Sequence, residues 1–262
     1  MEYSDVFIAT AISVASLMLA TWLVSLVMRD ASIVDIIWGA GFVLIAWVAF
    51  SRRDGELVRS LTLALATSVW GLRLSAYLAW RNLGHGEDFR YQRMRRHWGT
   101  KFPIVSLLTV FALQGVLMWV VSLPVQLGQA SMETGSRVLL FAGAGIALAG
   151  LVFESVGDYQ LSRFKSDPDN LGLVMDKGLW RYTRHPNYFG DFCVWWGMWI
   201  AAASSLNGVV AGVSAIGPLV MSVLLIKVSG AALLERSLQK SRPGYAEYVQ
   251  RTSSFFPMPP KQ

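Results

Sequence analysis

Gly178-Leu179-Trp180-Arg181-Tyr182-Thr183-Arg184-His185-Pro186-Asn187-Tyr188-Phe189-Gly190-Asp191 runs without a break into Phe192 to Ala203, an apolar stretch rich in Trp. A polar, basic segment that turns directly into such a run reads as a membrane boundary. Arg184 and His185 can donate to anionic oxygens, Asn187 carries donor and acceptor together, and Tyr188 and Asp191 supply a hydroxyl and a carboxylate. Pro186 suits the first turn of a following helix, which puts His185 at the N-terminus, where free N–H groups favour an anion. The plain alternative is that Arg181, Arg184 and His185 are only the basic flank of a spanning helix. That accounts for the arginines but leaves Asn187, Tyr188 and Asp191, the last inside an apolar helix where charge is expensive.

Composition sets the class. The chain has 262 residues, 54% of them apolar and only 15% charged, where a soluble domain carries about a quarter charged residues. Its mean hydropathy is +0.44, so an integral membrane protein is expected. The net charge of +6 does not point to nucleic acid, because the basic residues fall between apolar spans and not on one polar stripe. The single cysteine, Cys193, excludes an internal disulfide and reads as a small packing residue. His85, His97 and His185 are too scattered to suggest a metal site.

Apolar runs near the roughly 20 residues a helix needs to cross hydrocarbon recur at Val6 to Met28, Ile33 to Phe50, Leu57 to Trp80, Ile104 to Leu127, Val138 to Val156, Tyr188 to Ser205 and Val209 to Leu234. The expected fold is therefore all-α and polytopic, a single domain of about seven transmembrane helices with short cytoplasmic helices. Met1 to Asp5 is acidic, unlike the start of a signal peptide. Gly143-Ala144-Gly145 and Gly150 lack the preceding strand and the spacing of a dinucleotide fingerprint and read as a close-packing helix face.

Several polar residues sit at span ends. Ser32 is a candidate N-cap with Asp35 three residues on, or Asp35 and Trp38, about one turn apart, look into a substrate cavity. Arg73, inside the third span, needs an aqueous or anionic pocket or must snorkel. Arg81 and Asn82, at its end, can reach a ligand. The basic segment to Lys101, with Phe89, Met94 and Trp98 among arginines, resembles an interfacial helix on an anionic leaflet. Glu154, Asp158 and Ser162 recur at four-residue steps on one helix face, followed by Arg163 and Lys165. This is either a site that binds hydroxyls and phosphate or a solvated charge mixture. The tail should turn at Pro243-Gly244, form a short helix and tuck Phe255-Phe256 back against the membrane face.

With these residues in view, Gly178 to Asp191 is similar to the G-L-[WF]-x-Y-[ST]-R-H-P-N-Y-x-G-[DE] signature of the steroid 5-alpha reductase and sterol reductase superfamily. The whole chain, from Asp30-Ala-Ser-Ile-Val-Asp through Gly71-Leu-Arg-Leu to Arg242-Pro-Gly-Tyr, resembles its bacterial branch. The resemblance implies a helical membrane enzyme, acting as a monomer, that binds NADPH from the cytoplasm and reduces a conjugated double bond of a steroid-like or other lipid. It implies cofactor contacts at Arg73, Arg81, Asp158, Arg163, Lys165, Trp180, Arg184, His185, Asn187, Tyr188, Trp195 and Tyr248, with Glu235 a further candidate cofactor contact. Asp191 and Tyr188 are the implied catalytic donors, and Asp35, Trp38 and Asp191 the substrate contacts. The steroid enzymes' substrate-pocket Gln-Glu pair has no counterpart in Ser51 to Arg59, and Glu235-Arg236-Ser237-Leu238 replaces their late His and Tyr. R-H-P-x-Y-x-G followed by E-x-x-L also resembles the isoprenylcysteine carboxyl and phospholipid methyltransferases, in which Arg184 and Glu235 would hold S-adenosylmethionine.

Arg and Lys cluster after the first, third, fifth and seventh runs, which is expected to orient the N-terminus outward and the C-terminus to the cytoplasm, and the resemblance to the bacterial branch implies a bacterial inner membrane. A reporter fused after Gln262 should therefore be active only in the cytoplasm, and one fused before Met1 only outside it.

Overall fold

The computed structural model describes residues 3–228 and 242–261. Among them the chain is helical with no strand: α1 (Tyr3–Met28), α2 (Ile33–Ser51), α3 (Leu57–Asn82), α4 (Phe89–Trp98), α5 (Phe102–Ser106), α6 (Leu113–Val121), α7 (Leu123–Ala130), α8 (Arg137–Ser166), α9 (Pro186–Ala203), α10 (Gly208–Ser214), α11 (Ile216–Val223) and α12 (Tyr245–Arg251). A π-helical stretch, Leu107–Ala112, joins α5 to α6, and another, Leu224–Val228, follows α11. The protein is a polytopic membrane protein. Six helical stretches among the described residues are long and apolar enough to span: Tyr3–Met28, Ile33–Ser51, Leu57–Asn82, Phe89–Val121, Arg137–Ser166 and Gly208–Lys227.

The expected span at Tyr188 to Ser205 is not one of the six. Its helix, α9, has 18 residues, but Asn187, Tyr188 and Asp191 occupy its first turns. These polar side chains lower its mean hydropathy below that of the six, although its length falls within the range of a crossing helix. The fourth run also ends early. The helix breaks at Ser122, and α7 follows with Pro124 in its first turn and every residue buried.

The chain divides into two compact units, Met1–Phe141 with Met198–Gly217, and Ala142–Gly197 with Pro218–Gln262. In the first, α2 and α3 cross at Gly39 and Gly71, where a Cβ on Gly39 would lie 2.1 Å from the Gly71 carbonyl oxygen. Arg59 of α3 is only 1% exposed. It donates to the carbonyls of Gly128 at 2.8 Å, Glu133 at 3.0 Å and Ser131, closing off the C-terminal end of α7, where carbonyls lack helical partners and favour a cation. Thr10 bridges α1 to Gln126 of α7 at 2.7 Å.

The interfacial helix expected in the basic segment is α4. Asp88 caps it, accepting from the Arg90 N–H at 2.9 Å. Burial alone would raise the Asp88 pKa, but the hydrogen bonds and charge of Arg90 outweigh it and hold the carboxyl below its usual range. Asp35 is engaged by this helix: Arg90 donates to it at 2.7 Å and the Tyr91 hydroxyl at 2.8 Å. The expected capping box is therefore replaced. Ser32 stands at the N-cap position without capping, because its hydroxyl donates to Asp30 while accepting from the Asp88 N–H.

In the second unit α8 and α9 cross on small residues. A Cβ on Gly190 would sit 2.5 Å from the Glu154 nitrogen and 2.6 Å from the Gly150 carbonyl oxygen, whereas Gly145 meets open space. The close-packing reading thus holds for Gly150. Gly150→Ala should cost about 1–3 kcal/mol, measured as thermal unfolding in detergent, while Gly145→Ala should cost nothing and can gain stability by its better helix propensity.

Candidate functional site

The crossing of α8 and α9 draws the signature onto the acids of α8. Gly157 leaves room for Pro186, whose ring would lie 3.1 Å from an added Cβ, and α9 begins at Pro186, as its fixed φ favours. One residue on, the Asn187 side-chain N–H₂ donates to the Asp158 carboxylate at 3.1 Å, while its carbonyl oxygen accepts from the Tyr188 N–H at 3.1 Å. Asp158 is 4% exposed and Glu154, one turn earlier, 3%. These two are not a solvated charge mixture. They are acids drawn into the protein, where each needs hydrogen bonds to offset lost hydration. Asp191 lies half-buried one turn after Asn187 on the same helix. His185 is buried, and its ring stacks on Tyr188 with centroids 5.4 Å apart.

Other signature residues fasten the loop and tail around that pair. The Trp180 indole donates to the Gly157 carbonyl at 3.0 Å, and the Tyr248 hydroxyl donates to the Trp180 carbonyl at 2.5 Å. Arg184 is buried and donates to the carbonyls of Thr252 at 2.5 Å and Val249 at 3.1 Å. Thr183 forms a one-residue parallel bridge with Ser253, donates through its hydroxyl to Phe255 at 2.7 Å, and is followed by the Arg184 N–H bonded to Ser253 at 2.9 Å. Phe255 is buried against Phe189 and Phe192, so the tail folds back as its aromatic residues suggest. The turn before α12 is made by Gly244 in the left-handed region.

Trp180, Arg184 and Tyr248, expected to touch a cofactor, thus direct these donors to backbone carbonyls. Trp195 is fully buried. Trp196 donates to Ser222 at 3.1 Å, in keeping with a packing role. Arg163 and Lys165 are exposed in the last turns of α8. Arg73, Arg81, Asp35 and Trp38 belong to the first unit. There Arg73 and Arg81 both lie over the Tyr77 ring, at 5.3 and 5.6 Å, and Trp38 packs edge-on against Phe42. Glu235 lies outside the described residues. The sequence reading missed Gln160, whose side-chain oxygen accepts from the Leu179 N–H at 2.9 Å. Its signal was Gly178, which has φ +59° and a Cβ position occupied by the Gln160 amide.

Residues 21–252 match a family model described as "Protein of unknown function (DUF1295)". No curated protein and no solved structure matches.

Burial first, and then the neighbouring Tyr245, pushes the Tyr248 phenol well above its usual pKa against the pull of Arg184. The folded state therefore holds the neutral phenol. Its stabilisation is complete below the unfolded value of about 10 and is lost as pH rises through the raised folded value. Tyr248→Phe should lower stability by about 1–3 kcal/mol at neutral pH and flatten this alkaline loss in a pH series of unfolding midpoints.

Proposed function

We propose that this chain, which belongs to the DUF1295 family, is a membrane-embedded, NADPH-dependent reductase that saturates a conjugated carbon–carbon double bond of a lipid. The observation that carries this reading is the buried Asp158–Asn187 pair, a carboxylate and a carboxamide joined at 3.1 Å under the helix crossing. The motif resemblance puts cofactor contacts at these same two residues.

The donor set fits a reduced dinucleotide in part. Asp158 can accept from a ribose hydroxyl, and Asn187 can pair with a carboxamide by its own donor and acceptor. Arg163 and Lys165, exposed one to two turns beyond Asp158, suit phosphates. Arg184, Trp180 and Tyr248 support the loop that carries Asn187. Bound NADPH would supply the hydride. Asn187 and Asp158 would fix the nicotinamide end of the cofactor, so that a lipid double bond presented beneath it meets the hydride donor in line and the transfer becomes effectively intramolecular. As hydride reaches one carbon, negative charge develops on the conjugated carbonyl oxygen, and the Tyr188 hydroxyl or a protonated Asp191 would stabilise it and provide the proton that ends on the neighbouring carbon. An apolar groove of about 440 Å³ on α8, lined by Leu148, Val152, Phe153, Val156 and Leu179 among others, offers a lipid tail an approach beside Trp180.

Purified protein should bind NADPH by calorimetry, more tightly than NADH. Asn187→Ala and Asp158→Asn should each weaken binding roughly 10- to 100-fold, the range of a charged hydrogen bond, whereas Arg52→Ala should leave it unchanged. Binding of S-adenosylmethionine in place of NADPH would sink the reductase reading and transfer the chain to the methyltransferases.

A further inference from the structure

We propose that the first unit holds one anionic phospholipid, with an acyl chain in the groove between α1 and the α5–α6 helix and its phosphate on the cations of α4. The proposal does not rest on the reductase reading.

The groove encloses about 560 Å³ and is apolar throughout, with Val14, Met18, Leu107, Val116 and Trp119 on its walls. Gly115 forms part of it because a Cβ there would press on Met18 and Val14 at 3.0 and 3.3 Å. From Ala11 to Leu19 it follows α1 for roughly 12 Å, the shape of a slot for a chain. Indole bonds pin α1 to the opposite helix at both ends. Trp119 donates to the Thr10 hydroxyl at 3.1 Å, and Trp22 donates to the Pro103 carbonyl at 3.0 Å. Between those pins the π-helical stretch Leu107–Ala112 takes an extra residue per turn, a distortion that recurs at functional sites. The slot thus lies between two helices tethered at both of its ends.

Charge says what occupies it. The Pro103 end continues through Lys101 into α4, whose charges fall into two groups. Arg90 is paired with Asp35 and Asp88 at 2.7 and 2.9 Å, and Arg95 with Glu87 at 2.7 Å. Arg95 also lies over the Phe102 ring at 4.4 Å, which holds α4 to the groove's end. Arg93 and Arg96, neighbours on one helix face, and Lys101 are exposed and have no acidic partner among the described residues. Exposed Phe89 and Trp98 flank them, as at a lipid interface. Three unneutralised cations beside an apolar slot complement a lipid with a net negative headgroup, and discriminate against a zwitterion.

The test is native mass spectrometry of the full-length chain in mild detergent, titrated separately with phosphatidylglycerol, with phosphatidylcholine of the same chains, and with glycerol phosphate. One phosphatidylglycerol should be retained, phosphatidylcholine on the order of a hundredfold more weakly for three cations, and glycerol phosphate not at all. Joint Arg93→Gln, Arg96→Gln and Lys101→Gln should abolish the preference. Val116→Trp, at an exposed groove position, should lose phosphatidylglycerol with every cation intact. If either variant unfolds early in a thermal scan, Arg96→Gln alone and Val116→Phe read the same two contributions. Equal retention of the two lipids, or wild-type retention by the groove variants, overturns the proposal and leaves only surface adsorption.

Discussion

A carboxylate inside an apolar helix must find hydrogen bonds within the protein, since hydrocarbon supplies none. Asp158 finds one in the Asn187 amide, and that bond needs the two helices to approach almost backbone to backbone. Gly150, Gly157 and Gly190 permit the approach. Pro186 starts α9 where the amide one residue later faces α8. The tail, stitched to residues 180–184 by Arg184, Thr183 and Tyr248, then fixes the loop that delivers Pro186. A chain of small, local requirements thus follows from one buried charge.

The first unit obeys the same constraint with different chemistry. Arg59 is satisfied by carbonyls at the end of α7, and Asp35 by a guanidinium and a phenol from α4. In each case the polar group costs little where it is and much if its partner is removed, because an unpaired buried charge bears the full desolvation penalty. Asp35 therefore secures the interfacial helix to α2, and Glu87, accepting from Arg95 and from the Ala31 N–H, secures it to the turn before α2.

The helices were legible because apolar length is a local property, and the spans of α1, α2, α3 and α8 each contain a run visible in the sequence. Tyr188 to Ser205 falls short of the other runs in apolar character because Asn187, Tyr188 and Asp191 occupy the first turns of α9. The small-residue face was legible at Gly150 but not at Gly145, since spacing alone does not say which side faces a neighbour. The pairing of Asp158 with Asn187 lay beyond the sequence except through motif resemblance, as the two residues are far apart in the chain. Arg184, Trp180 and Tyr248 each donate to a backbone carbonyl, and a carbonyl leaves no mark in the letters, so this structural part of their role was not legible.

This division of labour bears on what the signature means. In Thr183-Arg184-His185-Pro186-Asn187 the first two residues hold the tail, the proline sets the helix start, and Asn187 reaches the buried acid. A chain can keep the arginine and proline for folding alone and still match most of the motif. The pair that carries chemical information is Asn187 with Asp158, because a carboxylate without its amide, or an amide without its carboxylate, would be a costly tenant of that crossing. Two apolar residues would fill that crossing more cheaply, and this excess cost is the physical argument behind the proposed polar ligand.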